Sequence, residues 1–165
     1  MKTNEFIRQC AHAPRGEKPR TGSKRVASIL WDGETIYSYG QHYPLLFKLE
    51  APADHARGFY WVCNDRGHSV TTSKHIGQAR QYADFCVNLP RGSRYTEPRD
   101  IVEACQIEIK EKTETRRQAQ QRQNERPQNE HVYQRTIDEM ETRIEQLKQL
   151  ISAASAAISA PDICQ

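Results

Sequence analysis

One stretch near the C-terminus constrains this chain more than any other. Tyr133, Ile137, Met140, Ile144, Leu147, Ile151, Ala154 and Ile158 follow one another at spacings of 4-3-4-3-4-3-4. That is a sustained heptad seam, with Ile137, Ile144, Ile151 and Ile158 at a and Tyr133, Met140, Leu147 and Ala154 at d. Leu150 and Ala157 widen the stripe towards its end. The pattern predicts one long helix over 128–160, stopped by Pro161, with 161–165 as a tail. An apolar seam of this length needs a partner to cover it. Isoleucine at a with leucine at d suits a parallel dimer, but that pairing sets Arg143 at g against Lys148 at e. Antiparallel packing brings Glu141 opposite Lys148 instead, an exposed pair worth only about 0.2–1 kcal/mol. The expectation is therefore antiparallel packing, either in a homo-oligomer or back onto Ile101–Ile109. Docking on the helix's own domain is the plain alternative.

The segment before it, 96–127, reads as a polar helical connector. Thr96-Glu97-Pro98 is a helix start: a capping hydroxyl, an acidic first turn and a proline whose missing N–H does no harm. Ile101, Val102, Cys105 and Ile109 form a short apolar edge, although Cys105–Lys110 also alternates like a strand. Lys110–Arg126 then has only Ala119 as an apolar residue. Its Glu, Lys, Arg and Gln are good helix formers with nothing to bury, so it is a solvated or frayed helix that Pro127 ends.

The compact part of the chain is 26–95. Val26–Trp31 is strand-like, and Asp32-Gly33 signals a two-residue hairpin turn with positive φ at both positions. Glu34–Tyr39 returns as the partner strand, Leu45–Leu49 is a third, and Phe59–Cys63 is a fourth, rich in the residue types that suit a pleated surface. His68–Thr72 reads as a short fifth strand. At Ser69–His75 the pattern turns from strand to helix, with Thr72 or Ser73 as the cap. Ile76, Ala79, Ala83 and Cys86 continue at helical spacing until Leu89-Pro90. The fold class is α+β: a small antiparallel sheet with one packed helix, followed by the helical C-terminal region.

Residues 1–25 form a basic arm. They hold seven Lys/Arg against two acidic residues, while the other 140 hold 17 against 19, so the chain's net charge of +3 belongs to this end. Pro14-Arg15-Gly16 and Pro19-Arg20-Thr21-Gly22 interrupt regular structure, which predicts a mobile arm. Arg15, Lys18, Arg20, Lys24 and Arg25 are its candidate contacts to phosphate or an acidic surface.

The chemistry is sparse. No phosphate-binding glycine loop, nucleophile elbow or His-Glu-x-x-His stretch is present, so the chain reads as a non-enzyme without cofactor. Cys10, Cys63, Cys86, Cys105 and Cys164 are odd in number and widely spread, which suits reduced thiols better than a disulfide framework. Cys63, Cys86 and Cys105 read as small buried hydrophobes. His42, His55, Cys63, His68 and His75 share the compact domain, but the only close pair, Cys10-Ala11-His12, lies in the arm; no metal site is expected. No apolar run approaches the roughly 20 residues of a membrane span, and the N-terminus lacks the apolar centre of a secretory signal. The expectation is a cytoplasmic protein with no membrane partner.

Two groups of side chains are candidates for binding. Thr72, Ser73, Lys74 and His75 gather at a helix start, where hydroxyls, free amides and cations can hold an anion. Ordinary capping explains Thr72 or Ser73 but neither Lys74 nor His75. Arg80 extends this basic face. Tyr37 and Tyr39 share one strand face, with Ile36 and Ser38 on the other. With Tyr43 they could stack on bases or anchor a protein. Trp31, Phe47 and Phe59 belong to the core.

Thr35-Ile36-Tyr37-Ser38-Tyr39-Gly40-Gln41-His42-Tyr43-Pro44 and His68-Ser69-Val70-Thr71-Thr72-Ser73-Lys74-His75 resemble two stretches of a family of small uncharacterised proteins of phages and other mobile elements. The family pattern is Ser-Tyr-x-x-His-Tyr-Pro followed by Tyr-Ser-x-Thr-Thr-Ser-x-His. The likeness covers about Leu30–Cys86, and here His68 stands where tyrosine is usual. It carries no catalytic residue over. It implies a setting, a bacterial cell under phage or plasmid influence. There small proteins often act by binding, for example as anti-CRISPR-like inhibitors of host defence. A host protein or nucleoprotein is the expected partner. A nucleic-acid-binding module using the arm and the Lys74/Arg80 face is the alternative.

Overall fold

The computed structural model describes residues 1–13, 25–39, 41, 43–52, 54–67, 69–89 and 97–159. In chain order they form α1 (Thr3–Ala11), β1 (Arg25–Val26), β2 (Ile29–Trp31), β3 (Thr35–Ser38), β4 (Tyr43–Glu50), β5 (Phe59–Asn64), α2 (Val70–Ala79), β6 (Phe85–Val87), α3 (Pro98–Glu125) and α4 (Glu130–Ser159). The strands make one sheet in the order β1-β2-β3-β4-β5-β6. All neighbours are antiparallel except β5 and β6, which are parallel. The class is α+β, as expected.

The sheet is covered on both faces. Ile29, Trp31, Ile36, Trp61 and Cys63 meet Phe6, Ile7 and Cys10 of α1 and Ile76 and Ala79 of α2. Phe47, Leu49 and Val62 point the other way, onto Ile101, Ala104 and Cys105 of α3 and Leu147, Leu150 and Ala154 of α4. This explains why β4 is buried along nearly its whole length. A strand buried on both sides loses the polar alternation of a half-exposed one. Glu50 at its end is exposed, and the charged side chain within it, Lys48, lies over the Phe59 ring at 4.8 Å and near Trp31 and Trp61. Its Nζ donates to the Gly33 carbonyl at 3.1 Å.

Several expectations need correction. The arm is not mobile throughout, because Thr3–Ala11 is a helix whose Phe6, Ile7 and Cys10 are fully buried. The Trp61 indole donates to the Ala11 carbonyl at 3.0 Å and ties the end of this helix to the sheet. Val26–Trp31 is not one strand: it folds on itself, pairing Val26 with Ile29, with Ala27 at φ +50. The turn at Asp32-Gly33 has positive φ at Gly33 alone. The Asp32 carboxylate accepts from the Glu34 and Thr35 amides at 2.9 and 2.7 Å and closes a longer loop. His68–Thr72 is no strand: α2 already begins at Val70, and His68 lies outside the described residues.

The α2 helix also stops early. It ends at Ala79, tightens into one 3-10 turn over Arg80–Tyr82, and the chain then runs as β6. Asp84 fixes this change: its amide donates to the Trp61 carbonyl and its carboxylate accepts from the Trp61 amide, both at 2.8 Å. Cys86 is thus a strand residue, registered on Cys63.

The two C-terminal helices form an antiparallel hairpin. Lys110–Glu125 is helical with Ala119 buried, so the solvated helix is the form realised. Cys105–Lys110 belongs to the same helix. Glu97 precedes the first turn with Pro98 at its start, while Thr96 lies outside the described residues.

Candidate functional site

The corner at Ser69–His75 is the start of α2. Ser69 is the cap, its Oγ accepting from the Thr72 amide at 3.1 Å. Thr72, His75, Ile76 and Ala79 then fall on one stripe and face the sheet. The His75 ring bonds through Nδ1 to the Ser38 hydroxyl at 2.8 Å in the interior. Burial, and next to it the Lys74 charge, hold the His75 imidazole below its ordinary pKa. Of the expected anion-binding set, Ser73 and Lys74 are exposed, but Thr72 and His75 are engaged inside. Arg80 pairs with the Asp65 carboxylate and does not extend a free basic face.

The tyrosines separate as well. Tyr43 is buried, its hydroxyl donating towards the carbonyls of Asn64 and Arg66. Tyr37 is half-buried in β3, opposite Leu30. Tyr39 lies beyond β3 at φ +59 and is 49% exposed, so it is the one member of the set presented to solvent. Of the basic arm, Arg15, Lys18, Arg20 and Lys24 lie outside the described residues, and Arg25 opens β1. His12 packs edge-on against Tyr82 and Cys10 is buried, so that pair points away from a common ligand. Among the described residues no group of three or more His, Cys, Asp or Glu is placed to hold a metal ion. Among them, too, no helix is long and apolar enough to cross a membrane.

The heptad seam finds its antiparallel partner within the chain. Ile137, Ile144, Leu147 and Ala154 are buried, Leu147 and Ala154 of them in the core with α3 and the sheet, Tyr133, Met140 and Ile151 are half-buried, and Ile158 is exposed. Glu141 pairs with Arg116 of α3 at 3.1 Å, and Lys148 pairs with Glu145 of its own helix at 3.7 Å.

Two features were invisible in the sequence. The first is an arm. From Thr113 to Glu139 the hairpin buries only Ala119 and Ile137. Arg116–Glu141 and Gln123–Gln134 bond the two helices to each other. The 13 residues from Thr113 to Glu125, at about 1.5 Å each, give an arm of roughly 20 Å. Its five arginines are balanced by five acidic residues across 113–139.

The second is a recess of about 350 Å³ along the β6 edge. The sheet side contributes Asp65, Arg80, Cys86 and Asn88; α3 contributes Glu108 and Lys112; α4 contributes Met140 and Arg143. The Cys86 thiol is held below its ordinary pKa, first by the Cys63 thiol beside it and then by Arg80 and Arg143, against burial and Asp65. Cys63 is pushed up by the neighbouring Cys86 and by burial, and its thiol donates to the Asn64 carbonyl at 3.8 Å. Only register brings these cysteines together, 23 residues apart, and no local pattern announces it.

No protein-family model, curated protein or solved structure matches this chain significantly.

Proposed function

We propose that this chain is a non-enzymatic binding protein whose α3–α4 arm engages a protein partner. In the phage or mobile-element setting implied by the resemblance, that partner is a host defence protein or nucleoprotein, which the chain inhibits. The arm carries the reading. Its apolar seam is closed internally, so its length is not spent on holding the core together. What it offers outward is two long helix faces of glutamine, arginine and glutamate. Charge balance favours a protein surface over a phosphate backbone, because phosphate affinity needs a surplus of cations.

The test compares the full chain with a variant in which residues 116–141 are replaced by a short glycine-containing turn. Circular dichroism and thermal melting establish that the shortened chain keeps its sheet. A partner captured from host lysate by the full chain, resistant to nuclease and to rising salt, and lost with the arm is the expected result. Capture that survives arm removal overturns the reading. Binding that falls steeply with salt and with nuclease favours the nucleic-acid alternative.

A further inference from the structure

We propose that Cys86 is an oxidation site reached through the β6 recess and that Cys63 is its resolving thiol, the two closing to a disulfide across β5 and β6 when the chain meets a peroxide.

The geometry is that of a bondable pair. Cys63 and Cys86 are register partners on adjacent parallel strands. Directly opposed residues in a parallel pair share a face. Strands lie about 4.8 Å apart, inside the window of roughly 4.4–6.8 Å that a disulfide needs between Cα atoms. Neither cysteine is tied up in a disulfide with another partner.

Access is asymmetric. Cys63 is fully buried, while Cys86 is partly exposed and lines the recess. A reagent from solvent therefore meets Cys86 first, and Cys63 is reached only through it. The opening sets Arg80, Lys112 and Arg143 against Asp65 and Glu108, so cations outnumber carboxylates there. Thiolate, not thiol, is the nucleophile, and the neighbouring Cys63 thiol with Arg80 and Arg143 favours thiolate at Cys86 against burial and Asp65. Cys10 and Cys105 are the contrast: burial pushes both to about 12, and both are fully buried.

The chemistry balances in two steps. The Cys86 thiolate attacks one peroxide oxygen; the S–O bond forms, the O–O bond breaks, and the departing oxyanion takes a proton from water. Sulfur is oxidised to sulfenic acid and the peroxide is reduced to an alcohol, or to water for hydrogen peroxide. The Cys63 sulfur then loses its proton and attacks the Cys86 sulfur. The S–S bond forms, the S–O bond breaks, and hydroxide leaves with that proton as water. The product staples the edge strand to the sheet beside Asn88.

The experiment uses the full chain with Cys164→Ser, so that the C-terminal thiol does not compete. Reduced protein is titrated with hydrogen peroxide, quenched by alkylation and mapped by mass spectrometry without reductant. Cys86 should be consumed more than about tenfold faster than Cys10 or Cys105. Cys63 should disappear in step with it, and one linked peptide should contain both. With Cys63→Ala or Cys63→Ser, Cys86 should stop at sulfenic acid, trapped by dimedone. The proposal is overturned if Cys86 is consumed no faster than Cys10 and Cys105. It is also overturned if Cys86 is oxidised while Cys63 stays alkylatable. The map of the unsubstituted pair decides this even if the Cys63 variants fold poorly.

Discussion

Arg143 Nε donates to Glu108 Oε1 at 2.8 Å, and the other Glu108 oxygen accepts from Asn88 Nδ2 at 3.1 Å. One carboxylate thereby joins α3, α4 and the end of the sheet. Its side chain is only 6% exposed, and that of Arg143 only 20%. Removing one member of such a pair strands a buried charge, which costs about 3–5 kcal/mol. Arg143→Ala should lower stability by about that amount in urea denaturation. Glu108→Leu combined with Arg143→Met should recover most of the loss, since a buried pair replaced by apolar groups is often neutral. Additive losses in the double variant would contradict this account.

His75 makes stability depend on pH. Its folded pKa is depressed, whereas the unfolded chain takes up a proton near the ordinary value of about 6.5. As pH falls through that value the unfolded state binds a proton that the folded state refuses. The contribution is therefore complete above about pH 6.5 and lost progressively below it. Denaturation midpoints should fall between pH 7.5 and 5.5. His75→Gln, which keeps a polar group beside Ser38 but does not titrate, should flatten that slope.

Ser69, rather than Thr72 or Ser73, should be the sensitive hydroxyl as a cap. Ser69→Ala removes the acceptor of the Thr72 amide and should cost about 1 kcal/mol. Ser73→Ala, at an exposed position, should change stability by less than about 0.5 kcal/mol. Paired thermal melts distinguish the two.

The heptad seam should behave as core. Leu147 is fully buried between α3 and the sheet. Leu147→Ala should cost about 2–5 kcal/mol, and Leu147→Asp should unfold the hairpin at any protein concentration. Ile158→Asp, at the exposed end of the same seam, should leave the melting temperature nearly unchanged.

Local signals carried a definite share of this fold. The 4-3 spacing from Tyr133 to Ile158 fixes a long amphipathic helix wherever it lands. The β-branched and aromatic runs at Thr35–Ser38, Tyr43–Glu50 and Phe59–Asn64 suit strands, and Pro98 opens α3 as proline does at a first helical turn. Those signals depend on a residue and its near neighbours. Partnership does not. The seam called for an antiparallel partner, but only docking shows that α3 is that partner. The Pro- and Gly-broken stretches beyond residue 13 hid a preceding helix, because three apolar residues in α1 mean little until Trp31 and Trp61 receive them. Phe85-Cys86-Val87 continued a helical pattern, and became the parallel edge strand because β5 offered open ladder positions and Asp84 locked onto Trp61. Ladder bonds and shared burial join residues distant in sequence, so tertiary structure alone decided the covering of both sheet faces, the free arm and the meeting of Cys63 with Cys86.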